Sequence, residues 1–446
     1  MGIISYLQDK LVSIRKEQIK NKIDSDVALT DTQITELMLW YYMYIGQAPW
    51  CKRDVNSLRL ENGICREFSN TALSEIETNI SDEILNNSYQ NAIENLNAYL
   101  QIGLALGSFV IKPLNENNYQ FINAYNYMPI TYNSQGMMTS VVFLDRRYIS
   151  TNKWYIRTEK HILNEEKQLL TIEQKVFQSS DGSTLGRQLP LTILDDWAML
   201  RPSVTYSGVT SPLYGYYHNP MAIIGGNFNA SSIYANAVEL IKKADMQASR
   251  LDWEYEASEK AIFVEDNVTI TDKNGKRNVA QTRDRLYRSI LTDSDEPIKE
   301  YSPNIRDENF LNGLEEYKRQ IEFNVGLAYG DLSRSDSIEK TATEIMASKE
   351  RKHKTIKAIQ HNLKYCLEDL ARAFAFYQRK YNSNYEFVCD FHDNILIDEE
   401  KERAKDLEDV RMQIMSPVEY RMKYYHETRE EAEKNIPDTL DIGSIE

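Results

Sequence analysis

The sequence predicts an α+β fold built in several parts, and three stretches carry that expectation. The first runs from about Thr343 to Lys380 and holds neither Pro nor Gly. Within it Ile356, Ile359, Leu363, Cys366, Leu370, Ala373 and Tyr377 step by three and four, which is one stripe of a helix. About 38 residues of helix span roughly 57 Å. The second stretch follows Gly107, where short β-prone runs alternate with turn residues to about position 170. It reads as an antiparallel sheet of four or five strands packed on the helices before it. The third is a pair of helical patterns, about 231–257 and 307–327, on either side of a strand-rich excursion.

Taken in order, residues 2–20 read as a first helix with Ile3, Ile4, Leu7, Leu11 and Ile14 on one face. A second helix over 30–50 starts at Thr30 with Gln33 three residues on, a capping-box pair. A short helix over 57–75 leads into a helical pattern from Leu85 to Leu106, and Gly103 and Gly107 then introduce the strand SFVIKPL. The segments YQFINAYNYMPITYN, MTSVVFLDRRYI, KWYIRTEKHIL and KQLLTIEQKVF are strand-like. Residues 176–229 lack periodicity and read as extended loop, in which the aromatic run YGYY must touch something. In the helix over 231–257, Ser231 or Ser232 is the capping candidate, and Ile233, Ala237, Leu240, Ile241, Ala244, Ala248 and Leu251 share a face. The strand KAIFVEDNVTI precedes Asn274-Gly275, a hairpin turn signal. The next helix carries Phe310, Leu311, Leu314, Tyr317, Ile321 and Val325 as its stripe, and a Gly- and Ser-bearing break occupies 326–341. The long helix has too narrow a seam to be the core of a small globule, so it is either a scaffold or coiled-coil helix or the axis of a subunit in an assembly. After it, NYEFVCDFHDNIL reads as a strand added to an existing sheet. Ser416-Pro417-Val418-Glu419 and Thr428 with Glu431 mark two further helix starts.

Composition narrows the function classes. The chain has 446 residues, enough for two or three domains, with 42% hydrophobic and 27% charged residues. Its 29 tyrosines suit large contact surfaces. A net charge of −15 argues against long-range attraction to DNA, yet a like-charged wall lets DNA slide past without sticking. No apolar run reaches membrane-spanning length, and the N-terminus lacks the apolar core of a signal peptide. Cys51, Cys65, Cys366 and Cys389 form no CxxC pair, and the histidines are scattered, so free thiols and no metal site are expected. Nucleotide-binding, metalloprotease and serine-hydrolase motifs are absent. Asp195-Asp196 and the pair Asp390 and Asp393 stand without a third spaced carboxylate or a lysine, and Gly225-Gly226 reads as a hinge rather than an anion cradle. The expectation is a protein that is not an enzyme and has no catalytic residue, cofactor or metal. Residues 399–446 carry 14 acids and 8 bases, a solvated acidic helical face.

Several runs resemble one known family, the portal proteins of tailed bacteriophages of the siphophage type. LALGSFVIKP at 104–113, NYMPITYNSQGMMTSVVFL, SIYANAVELIKKADMQASRLDWEYEASEKAIFV at 232–264 and the tail from DEEKERAKDLEDV onward are similar to its pattern. KTATEIMASKERKHKTIKAIQHNLKYCLEDLARAF at 340–374 is the most specific of these runs. The resemblance implies an N-terminal arm and wing over 1–228, the wing proper from about 25, and a stem helix over 229–257. It further implies a clip over 258–305, a second stem helix over 306–326, a tunnel loop over 327–341, a spine helix over 342–380, a wing strand over 381–397 and a short crown over 398–446.

Functionally, the resemblance implies a self-assembled ring, usually of twelve subunits, at the unique portal vertex of a virion assembled in the host cytoplasm. Such a ring is a DNA channel for packaging and ejection. Its partners are the major capsid protein, a scaffolding protein, the terminase large subunit, a head-completion adaptor and non-specifically passing double-stranded DNA, with no membrane. On this sequence the channel-lining residues would be Asp331, Arg334, Asp336, Glu339 and Lys340. The basic cluster Lys273, Lys276, Arg277, Arg283, Arg285 and Arg288 would be either a docking face on the clip or a solvated strand surface. The alternative is a structural adaptor or coiled-coil scaffold of a viral particle.

Overall fold

The computed structural model describes residues 16–52, 54–182, 184–221, 230–258, the strand segments 261–265, 270–271, 277–278, 287–290 and 298–302, and then 304–334, 342–391, 399–425 and 427–435. The fold is α+β, and the chain divides into two compact units, Met1–Cys389 and Asp390–Glu446.

The first unit opens with α1 (Lys16–Ile23), α2 (Asp31–Tyr44) and α3 (Leu60–Ala72). Thr30 and Gln33 cap α2 reciprocally, as their spacing predicts: the Gln33 amide donates to the Thr30 hydroxyl at 3.2 Å, and the Thr30 amide to the Gln33 side chain at 2.8 Å. Strand β1 (Ile76–Ile80) follows, in a stretch the sequence pattern treats as passage between helices. The pattern from Leu85 to Leu106 is two helices, α4 (Glu83–Ile93) and α5 (Leu96–Leu106), rather than one. Gly107 then turns the chain at φ 92°, and a Cβ there would lie 2.7 Å from the Ala230 carbonyl oxygen.

Two antiparallel sheets replace the single expected one. Strands β2 (Ser108–Pro113) and β3 (Tyr119–Asn123) join β10 (Gly215–His218) in the order β10-β2-β3. The aromatic segment read as one strand is split by a 3-10 turn at Ala124–Asn126, so β4 (Tyr127–Tyr132) belongs to a second sheet. That sheet runs β4, β5 (Met138–Ser150), β6 (Lys153–Asn164), β7 (Leu169–Ser179) and β8 (Gln188–Leu189), with β9 (Ser203–Ser207) also paired to β7. Short helix α6 (Asp195–Ala198) buries Trp197 against Tyr155 and Val176. The segment expected to be structureless therefore contributes β8, α6, β9 and β10. Tyr214 and Tyr217 of the YGYY run are buried.

Helix α7 (Val238–Ala257) and helix α8 (Asp307–Val325) pack against each other. Neither Ser231 nor Ser232 caps α7, whose first α-helical residue is Val238 and which has no side-chain cap. Ser232 instead receives the Tyr234 amide at 3.3 Å in the turn before it. Between the two helices lie β11 (Ala261–Glu265), β12 (Ile270–Thr271), β13 (Arg277–Asn278), β14 (Tyr287–Ile290) and β15 (Ile298–Tyr301). Strand β11 pairs in parallel with β14 and antiparallel with β15, and β12 pairs with β13. The Asn274-Gly275 turn lies outside the described residues.

Helix α9 (Ala342–Tyr377) packs on β10, β2, α3 and α4. Here the narrow-seam expectation needs correction. Cys366, Leu367, Leu370, Ala371, Ala373, Phe374 and Ala375 are all fully buried, so the second half of this helix is a core element. Small residues explain the width of the buried face, because Ala and Cys let neighbouring backbones come close. A Cβ on Gly215 would lie 2.4 Å from the Cys366 carbonyl oxygen, so this strand position admits only glycine. Strand β16 (Phe387–Phe391) pairs with β1 in a two-stranded sheet of its own rather than extending an existing one.

The second unit holds α10 (Glu399–Arg411), α11 (Pro417–Tyr425) and α12 (Arg429–Lys434). The Ser416–Glu419 and Thr428–Glu431 capping pairs form as their spacing predicts.

Candidate functional site

A closely held loop of the first unit follows α8. Gly326 ends the helix at φ 86°, and its amide and that of Leu327 both donate to the Glu322 carbonyl, at 3.1 and 2.9 Å. A Cβ on Gly326 would lie 2.5 Å from the Thr355 hydroxyl of α9, so the helix end sits hard against the next helix.

The chain then doubles back over α8 and is held by carboxylates of that helix. Glu322 is fully buried. Its Oε1 accepts the amides of Gly330, Leu332 and Ser333 at 3.1, 2.6 and 2.8 Å, and its Oε2 accepts the Ser333 hydroxyl at 2.9 Å. A buried carboxylate needs such donors, since water is not there to supply them. Seven residues earlier, two turns down the same face, Glu315 accepts the Arg334 amide at 2.7 Å and the Lys318 ammonium at 2.9 Å. Burial alone would raise the Glu315 carboxyl, but these donors outweigh it and hold it below its ordinary range.

Helix α9 supplies the other side. Asp331 accepts the Ala328 amide at 2.9 Å and faces the Lys352 ammonium at 3.1 Å, and Lys352 also reaches Glu67 of α3 at 2.6 Å. Burial would lower the Lys352 ammonium, but Glu67 and Asp331 hold it above its ordinary value. Arg351 lies over the rings of Phe323 and Tyr329, at 4.9 and 5.0 Å from their centroids, and donates to the Leu327 carbonyl at 3.3 Å. Loop 327–334 is thus a knuckle fixed to α8 and α9, with α3 joined through the Lys352–Glu67 pair.

Of the channel residues expected from the sequence, this brings Asp331 and Arg334 together in one loop. Asp331 is tied to α9, whereas the side chain of Arg334 is exposed and its amide is held by Glu315. Asp336, Glu339 and Lys340 lie outside the described residues, as do Lys273, Lys276, Arg283 and Arg285. Arg277 lies in β13 and Arg288 in β14, strands of two different sheets, so these two bases share no ladder. Sequence reasoning missed Glu315, Glu322, Lys352 and Glu67. The only available signal was the spacing of Glu315 and Glu322, seven apart beside the apolar stripe of α8.

A second concentration of charge is buried in the sheets. The Lys112 ammonium, 2% exposed, donates to Glu159 at 2.6 Å. Arg157 and His161 reach the same carboxylate at 2.9 and 2.7 Å. Burial opposes the charge on Glu159, but Lys112, His161 and Arg157 outweigh it and hold the carboxyl well below its usual range. Burial lowers His161, which favours the neutral ring. Phe143 stands edge-on to His161 and lies beneath Lys112, closing the cluster with aromatic surface. Among the described residues, no three His, Cys, Asp or Glu side chains gather as a metal site, and no helix is long and apolar enough to cross a membrane.

No family model matches the chain, and no curated protein is similar to it. Among solved structures, a chain from the virion of a native gene transfer agent particle aligns at 9% identity with a TM-score of 0.43, covering 87% of this chain and 92% of that one.

Proposed function

We propose that the chain is a structural subunit of a bacteriophage-type particle that closes with copies of itself into a portal ring at one capsid vertex. The observation that carries this reading is the paired α7 and α8 with a strand insert between them, followed by a clamped loop and the long α9. Arg306 fastens the base of the insert: its guanidinium grips Glu254 at 3.1 and 2.9 Å, joining the end of α7 to the start of α8. Gln247 adds a bond to the Phe310 carbonyl at 3.2 Å. Such a base lets the strands between the helices act as a separate docking module without disturbing the pair.

The outward faces of the pair favour assembly. Met246 and Trp253 lie seven residues apart on α7, and Trp253 is 63% exposed; Phe323 of α8 is exposed as well. Apolar surface of this kind is what a neighbouring copy in a closed ring would bury. In this reading DNA passes the loop that follows α8 without specific binding, and the acidic balance of the chain keeps it from adhering. The strand insert docks the terminase motor during packaging and a head-completion adaptor afterwards. The major capsid protein and scaffolding protein surround the ring, and the energy-consuming chemistry belongs to the motor rather than to this chain.

Native mass spectrometry with electron-microscope class averages of the purified protein is the test. A ring of about a dozen copies with an open axial hole supports the proposal. A compact dimer with a closed centre overturns it.

A further inference from the structure

Asp245 joins helix α7 to the segment before α3, and a second buried carboxyl group, Glu61, lies near it. Asp245 of α7 is fully buried and faces three donors from that segment: the Trp50 indole at 2.8 Å, the Leu58 amide at 2.8 Å and the Cys51 thiol at 3.9 Å. Glu61, in the first turn of α3, is fully buried too, but among the described residues no other residue bonds either of its carboxyl oxygens.

The two groups meet opposite conditions. Three donors face the charged form of Asp245, while burial outweighs what favours a charge on Glu61, its own backbone amide and Arg59. The titratable groups around Glu61 are Asp245 from α7, Arg59 and Cys51 from the preceding segment, Cys65 one turn along α3 and Tyr234 from the turn before α7. Arg59 is the one cation in that set. Burial, aided by the Asp245 charge, pushes the Glu61 carboxyl up to about 8, against the opposing pull of its own backbone amide and Arg59.

We propose that Glu61 and Asp245 form a proton-operated latch, which fastens segment 50–61 to α7 while Glu61 is protonated and releases it when Glu61 ionises. An ionised Glu61 places a second negative charge near Asp245 in a fully buried site. The least costly escape is to let water in from the side of 50–58, because that side is a loop held to Asp245 by the contacts already described. The joint uses the buried Asp245 of α7, whereas the assembly reading uses the exposed Met246 and Trp253 of the same helix, so hydrogen exchange at Leu58 and ring formation test the two separately.

The folded protein keeps a proton on Glu61 that the opened form releases at ordinary carboxyl pH. Stability therefore falls as pH rises from the ordinary carboxyl range to about 8, and levels off above it. Hydrogen exchange at the Leu58 amide reads the latch directly. The ratio of its protection in Glu61→Gln to that in the unaltered protein should grow about tenfold or more between pH 6 and pH 9. A ratio that stays constant overturns the latch. If Glu61→Gln does not fold, the unaltered protein still decides: Leu58 losing protection faster than the core amide of Val142 across that range supports the proposal, and parallel loss refutes it.

Discussion

Glu322 receives both the amide and the hydroxyl of Ser333, at 2.8 and 2.9 Å, so one buried side chain of α8 sets the path of the loop eleven residues later. Glu322→Ala would strand the amides of Gly330, Leu332 and Ser333 without acceptors. The expected loss is about 3 kcal/mol. Denaturant unfolding gives the magnitude, and hydrogen exchange at those amides gives the place; unchanged protection there would contradict the clamp.

Asp331 and Arg334 differ in how their side chains are held, so substitutions at the two should have different effects. Asp331→Lys sets a cation against Lys352 and should destabilise the subunit by about 1–3 kcal/mol before any effect on DNA can be read. Arg334→Glu leaves the amide bond to Glu315 intact but replaces a favourable charge beside that carboxylate with a repulsive one, so it should cost about 1 kcal/mol or less, below the cost of Asp331→Lys. If the loop lines a DNA path, packaging by assembled rings carrying Arg334→Glu should slow. Normal packaging in an intact ring would remove Arg334 from the path.

Acid should loosen the same loop. The folded-state carboxyl of Glu315 lies below its ordinary value, so its contribution is present above the ordinary carboxyl range and is lost as pH falls through the lowered one. Protection of the Arg334 amide, compared with that of Val142, should fall as pH drops below the ordinary carboxyl range. Equal protection of the two amides throughout would argue against it.

The buried cluster at Glu159 makes a stability prediction. Lys112→Ala leaves Glu159 with Arg157 and His161 but opens a hole beneath Phe143, and should cost about 3–5 kcal/mol. Lys112→Met, which keeps the packing, should recover part of that loss. Urea midpoints of the two variants decide; equal losses would mean that charge alone matters.

Trp253→Lys tests the assembly face. The side chain is mostly exposed, so unfolding of the isolated subunit should shift by no more than about 0.5 kcal/mol while ring formation is lost. Rings forming normally would place the subunit contact elsewhere.

The sequence by itself determined the α+β class, the helix pair around a strand insert, the long helix, and the capping pairs at Thr30, Ser416 and Thr428. All of these are written in local spacing: a side chain three residues from its partner, or an apolar stripe at helical period. Tertiary structure decided the rest. The split of one aromatic run between two sheets, the pairing of β16 with β1 and the burial of the second half of α9 depend on which distant backbone lies alongside. Glu322, Glu315, Lys352 and Glu61 look like any of the 67 acids and 52 bases on a soluble surface. Burial changes their role, because only where water is excluded does a carboxylate have to find its donors in the protein or keep its proton.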